Sequence, residues 1–109
     1  MKNEIYVVSK EPISARYIPS ELQGCIPLIS KHEVMKRTAK GYRLKVSFAK
    51  EKGSMYLEEH YNFFDSYAGA LEYIVTEANR IADELEEMKQ KAIHLMCEAD
   101  VELKKEISA

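Results

Sequence analysis

From Leu71 onward, apolar residues return at alternating steps of three and four: Leu71, Ile74, Ala78, Ile81, Leu85, Met88, Ala92, Leu95 and Ala99. That spacing is the a/d seam of an amphipathic helix, sustained over about four heptads with Leu71 at a. Val75, Ala82, Met96 and Leu103 widen the stripe at the e position. A stripe of that width faces a core more readily than a narrow two-strand zipper. Neither Gly nor Pro interrupts the chain beyond Ala70, and Asp65 or Ser66 offers a side-chain oxygen to the first free amides. The pattern predicts one unbroken helix from about Ser66 to Ile107. Asp100 with Lys104 and Glu87 with Lys91 are favourable four-residue pairs on its polar side.

The first 64 residues follow a different period. Glu4 to Ser9 is rich in β-branched and aromatic residues and reads as a strand. Tyr42, Leu44, Val46 and Phe48 alternate with Arg43, Lys45, Ser47 and Ala49, the clearest strand in the chain, running from 42 to 50. Glu51 to Ser54 reads as a turn, and 55 to 63 as a second strand pairing with it in a hairpin. Glu33 to Thr38 reads as a further strand in preference to a short helix. The segment from Glu11 to Ser30 contains Pro12, Pro19 and Pro27 and has weak periodicity; Ile13 to Ile18 and Cys25 to Ser30 are at best short extended pieces. The fold class expected is α+β in a single domain. A small antiparallel sheet of three to five short strands packs on one long C-terminal amphipathic helix that extends beyond it.

Length sharpens this expectation. A helix of about 42 residues is roughly 63 Å long, whereas an eight-residue strand spans only about 26 Å. The sheet can therefore cover only the first half of the helix. Leu85, Met88, Ala92, Leu95, Met96, Ala99 and Leu103 must bury their seam elsewhere, most simply against a second copy of the chain.

Charge divides the chain further. Residues 31–52 hold Lys31, Lys36, Arg37, Lys40, Arg43, Lys45, Lys50 and Lys52 against Glu33 and Glu51, a net of +6. Residues 53–109 carry five basic and thirteen acidic side chains, a net of −8, and the whole chain stands at −2. The basic segment reads as a solvated strand face that offsets the acidic helix. The competing reading is a footprint for phosphate backbone, with Lys36, Arg37, Lys40, Arg43, Lys45, Lys50 and Lys52 as contacts to an anionic partner.

Other chemistry is sparse. Cys25 and Cys97 are far apart, a usage that fits reduced thiols and a cytoplasmic location. No apolar run approaches the ~18–20 residues of a membrane span, and the sequence calls for no cofactor. His94, Cys97 and Glu98 share one helix surface at metal-ligand spacing but lie off the seam, so they read as a solvated polar face. Glu58 and His60 share a strand face without any nucleophile or second acid. No phosphate-binding glycine loop, zinc-protease motif or serine elbow is present. The function expected is therefore that of a non-enzymatic protein-interaction module, a homodimeric regulator, adaptor or inhibitor of the kind a phage or mobile element encodes. It would engage a target protein through the sheet rim, the 19–30 segment or a tyrosine-rich surface of Tyr56, Tyr61, Tyr67 and Tyr73. Nucleic-acid binding through the basic hairpin is the alternative.

Overall fold

A computed structural model describes residues 3–23, 26–47 and 49–108. Five strands precede one helix: β1 (Glu4–Ser9), β2 (Ser30–Thr38), β3 (Gly41–Val46), β4 (Ala49–Leu57), β5 (Tyr61–Phe64) and α1 (Tyr67–Ser108). The sheet order is β4-β3-β2-β1-β5, with every neighbouring pair antiparallel. This is the α+β architecture expected, an antiparallel sheet in the first 65 residues followed by one long helix.

The sheet is strongly curled. β4 and β5 lie at opposite edges in the pairing order, yet only residues 58–60 join them, closed by a hydrogen bond from the His60 amide to the Leu57 carbonyl. Three residues reach from edge to edge only if the sheet wraps towards closure. The wrapped interior holds Ile5, Val7 and Leu44, lined by Val34, Tyr42, Tyr56, Tyr61 and Phe63. Across it Tyr42 meets Phe63 with ring centroids 4.7 Å apart, and Tyr56 meets Tyr61 at 4.9 Å. Such tilted contacts suit aromatic rings.

β1 supplies both sides of the sheet because successive side chains alternate. Ile5 and Val7 point into the curl, while Tyr6 and Val8 face the helix. There Val8, Ile13 and Ile29 pack on Ala70, Ile74 and Ile81, with Phe64, Leu71, Tyr73 and Leu85 at the margin. Ser66 caps the helix, accepting from the Gly69 amide at 3.0 Å. Ile81 is the last buried residue of α1 and Leu85 the last half-buried one. Beyond it the helix projects free, so the molecule measures 78 × 28 × 24 Å. Its radius of gyration is 21.7 Å, against ~13 Å for a compact domain of about 100 residues.

One expected turn and one expected strand fall differently. Residues 51–54 belong to β4, and the strand expected over 55–63 is broken at 58–60. The β3–β4 register explains the first shift. Leu44 pairs with Ser54 and Val46 with Ala49, so β4 carries extra residues opposite Lys45, a bulge. Gly53 sits there at φ 69°, in the left-handed region, and a β-carbon on it would meet Met35 Sδ and the Leu44 carbonyl. Gly53 marks the bulge, not a hairpin turn. The break at 58–60 also resets the alternation: Tyr56 and Tyr61, odd numbers of residues apart, both enter the curl. Ile13 to Ile18 forms no strand, only a bridge between Ser14 and Tyr17. Cys25 and Phe48 lie outside the described residues, as do both chain ends, so the sequence expectations there carry over untouched.

Candidate functional site

The longest exposed apolar feature is the free half of α1. All residues from Glu86 to Ser108 are exposed. Among them are Met88 at 52%, Leu95 at 66%, Met96 at 62% and Leu103 at 56%. Ala92 and Ala99 are exposed on the same line, and Ile93, Val101 and Ile107 flank it. Leu85 is the junction residue, half-buried against the sheet on one side and open to the free stretch on the other. The seven residues singled out from the seam thus lie on one helix, six of them fully outside the core. Isolated exposed apolar side chains need no explanation, but a continuous row rimmed by charges marks an interaction surface.

The polar sides of this stretch are well solvated. Asp100 pairs with Lys104 at 3.0 Å, Lys105 with Glu102 at 3.4 Å, and the His94 ring lies 3.3 Å from Glu98. His94, Cys97 and Glu98 line a shallow surface dip with Val101 and Glu102. Among the described residues no group of three or more potential ligands is arranged to hold a metal ion. Nearer the sheet, Arg80 bridges Glu77 at 2.7 Å and Glu84 at 3.5 Å. The Glu77 hydrogen bond holds the Arg80 guanidinium above its ordinary value.

The basic segment does not form one row. Lys36 and Arg43 stand opposite each other on β2 and β3 and share the outer face. Arg37 pairs with Tyr42 and so lies on the other face, where it donates to the Tyr42 hydroxyl at 2.6 Å and reaches Glu58 at 3.9 Å. A bulge between Val34 and Lys36 separates these positions from Glu33, which pairs with Lys45 at 3.8 Å. Arg43 donates to the Lys52 carbonyl at 3.0 Å, fastening the β4 bulge. Lys40 is exposed in the β2–β3 turn, and Lys50 falls within β4. The charges are distributed over two faces and partly matched by Glu33 and Glu58.

The tyrosines also divide. Tyr56 and Tyr61 flank a hollow with His32, Ile26, Pro27 and Leu28, beside the exposed edge of the 10–29 connection. Burial, then the neighbouring Tyr61, pushes the Tyr56 hydroxyl above its ordinary value. Tyr67 packs on Tyr6 instead, with centroids 5.7 Å apart, and Tyr73 packs on Phe64 at 5.6 Å. The Tyr73 hydroxyl donates to the Lys10 carbonyl at 2.6 Å and lies 3.1 Å from Glu77, joining the long connection to the helix. Tyr56, Tyr61, Tyr67 and Tyr73 do not form one surface among the described residues. Glu58 and His60 occupy the turn after β4, where His60 lies 3.1 Å from Glu59.

The signal missed in the sequence is the hollow at Ile26 to Leu28. Its walls come from segments far apart in the chain, 7–9, 26–32 and 56–61, and only the curl of the sheet brings them together. None of the described helices is long and apolar enough to cross a membrane. Comparison with family models, curated proteins and solved structures returns no match.

Proposed function

We propose that this protein is a non-enzymatic protein-interaction module that self-associates through the free half of α1. In this reading the curled sheet is a head that engages a target protein. The helix is an arm that joins two heads, as suits a homodimeric regulator, adaptor or inhibitor. The observation that carries the reading is the row Met88, Ala92, Leu95, Met96, Ala99 and Leu103. It continues the face that packs on the sheet and stays outside the core along its whole length, from Met88 to Leu103. An isolated helix gains little from propensity alone, so an apolar stripe of this length is stabilised chiefly by burial against a partner. On the head, the exposed hollow walled by Tyr56, Tyr61 and Ile26 supports a target contact, because tyrosines at partly buried positions anchor interfaces well. The division of the basic residues between two faces gives the nucleic-acid reading no specific support.

Light scattering over a concentration series tests the proposal. The intact protein is expected to run at twice its chain mass. Leu95→Asp, which places a charge in the middle of the row, is expected to run at one chain mass, with the cooperative unfolding of the head retained and part of the helical signal of the unpartnered arm lost. An intact protein that stays monomeric up to high concentration overturns the reading.

A further inference from the structure

The free half of α1 also specifies how a second copy would lie on it; the specification rests on the self-association proposed above. With Leu71 at a, Leu85, Ala92 and Ala99 hold a positions and Met88 and Leu95 hold d. Reversing one helix against another sets a against d in each layer. About a point midway between Ala92 and Leu95, Ala92 meets Leu95 of the second copy and Ala99 meets its Met88. The four layers these contacts make by symmetry each match small with large, which fills space evenly, and Leu85 meets Glu102 in the layer at either end. Parallel helices instead set Ala92 on Ala92 and Ala99 on Ala99, leaving two thin layers, and bring Glu102 against its own copy.

The charges flanking the row agree. Glu84, Lys91, Glu98 and Lys105 follow one another at seven-residue steps on the same flank, alternate in sign and are all exposed. In antiparallel helices this flank faces itself. The register set by Ala92 and Leu95 places Glu84 opposite Lys105 and Lys91 opposite Glu98, each twice by symmetry. A slide of one heptad in one direction sets Lys91 on Lys91 and Glu84 on Glu98. A slide in the other sets Glu98 on Glu98 and Lys91 on Lys105. Both bring only like charges together, so the alternation selects one register. The contacts these groups make along their own helix, Glu84 with Arg80, Glu98 with His94 and Lys105 with Glu102, are exposed. Pairs of that kind contribute little and exchange readily. The opposite flank is less charged: Met96 and Leu103 extend the apolar surface there, and the aliphatic stem of Lys89 covers Met96 of the second copy. Glu102 ends the apolar run where the second copy reaches Leu85 and its head begins.

We infer that the partner of the free helix is a second copy of this chain, lying antiparallel with Ala92 against Leu95 and held in register by Glu84–Lys105 and Lys91–Glu98 pairs. Two variants test this. Glu84→Lys with Glu98→Lys gives lysine at all four flank positions, and Lys91→Glu with Lys105→Glu gives glutamate at all four. Light scattering at low salt is run on the intact protein, on each variant and on an equimolar mixture, with native mass spectrometry to count the chains. Each variant alone is expected to self-associate at least about tenfold more weakly than the intact protein, four attractive contacts having become repulsive. The mixture is expected to recover a dimer with one chain of each kind, which also shows that both variants fold. A parallel pair leaves Glu84 beside Lys89 of its partner, so an all-glutamate variant that dimerises undiminished overturns the antiparallel register and leaves self-association standing. A monomeric intact protein overturns both.

Discussion

Gly53 shows how one residue carries a feature of the whole sheet. Its φ of 69° is costly for any residue with a β-carbon, and the Leu44 carbonyl lies 2.7 Å from where that carbon would sit. Gly53→Ala is expected to lower stability by about 1–3 kcal/mol, read as a shift in the urea midpoint. Tyr73 gives a pH signature. Burial, then the Glu77 hydrogen bond, raises its hydroxyl above the ordinary 10.0. Above pH 10.0 the unfolded chain gives up this proton while the folded chain keeps it, so stability falls as pH rises through the folded value; below 10.0 the contribution is fully present. Tyr73→Phe is therefore expected to lose less stability than the intact protein between about pH 8 and about pH 10.5. Urea midpoints at the two pH values check this. Neither effect is readable from the residue alone, since a glycine after Glu51-Lys52 signals a turn as well as a bulge.

Among the elements, the helix was the most legible. Its period, its cap and its freedom from Gly and Pro all point the same way, and α1 spans Tyr67–Ser108 against an expected 66–107. Ser66→Ala removes the hydroxyl that accepts from Gly69 and is expected to cost about 1 kcal/mol, checked by thermal or urea unfolding. The strands were legible as strand material but not as pairings. The run from Tyr42 was seen, yet its partner strand starts at Ala49 and not at Met55, because the bulge opposite Lys45 absorbs the residues that look like a turn. The break at 58–60 was hidden for a related reason: Glu58, Glu59 and His60 include none of the Gly, Pro, Asn, Asp or Ser residues that signal a turn, and only the closing of the sheet bends the chain there.

At the scale of the molecule, head and arm divide near Leu85. All the residues that pack the two core clusters lie at or before it. A chain ending at Gln90 is therefore expected to keep its cooperative unfolding transition and to lose self-association, as calorimetry and light scattering on the same sample would show. Loss of the folded head in that shortened chain would mean that the arm stabilises it through contacts between copies.

The sequence by itself determined the α+β class, the single long helix and the excess of that helix over anything the sheet could cover, because each depends on local period and on length. The free seam from Met88 to Leu103 was legible for the same reason, being written on one element. Tertiary structure alone decided the strand order β4-β3-β2-β1-β5, the curl that joins its edges, the grouping of Tyr56 with Tyr61 and the division of the basic residues between two faces. These are set by pairings between residues far apart in the chain, and a shift of one residue in such a pairing exchanges the two faces of a strand.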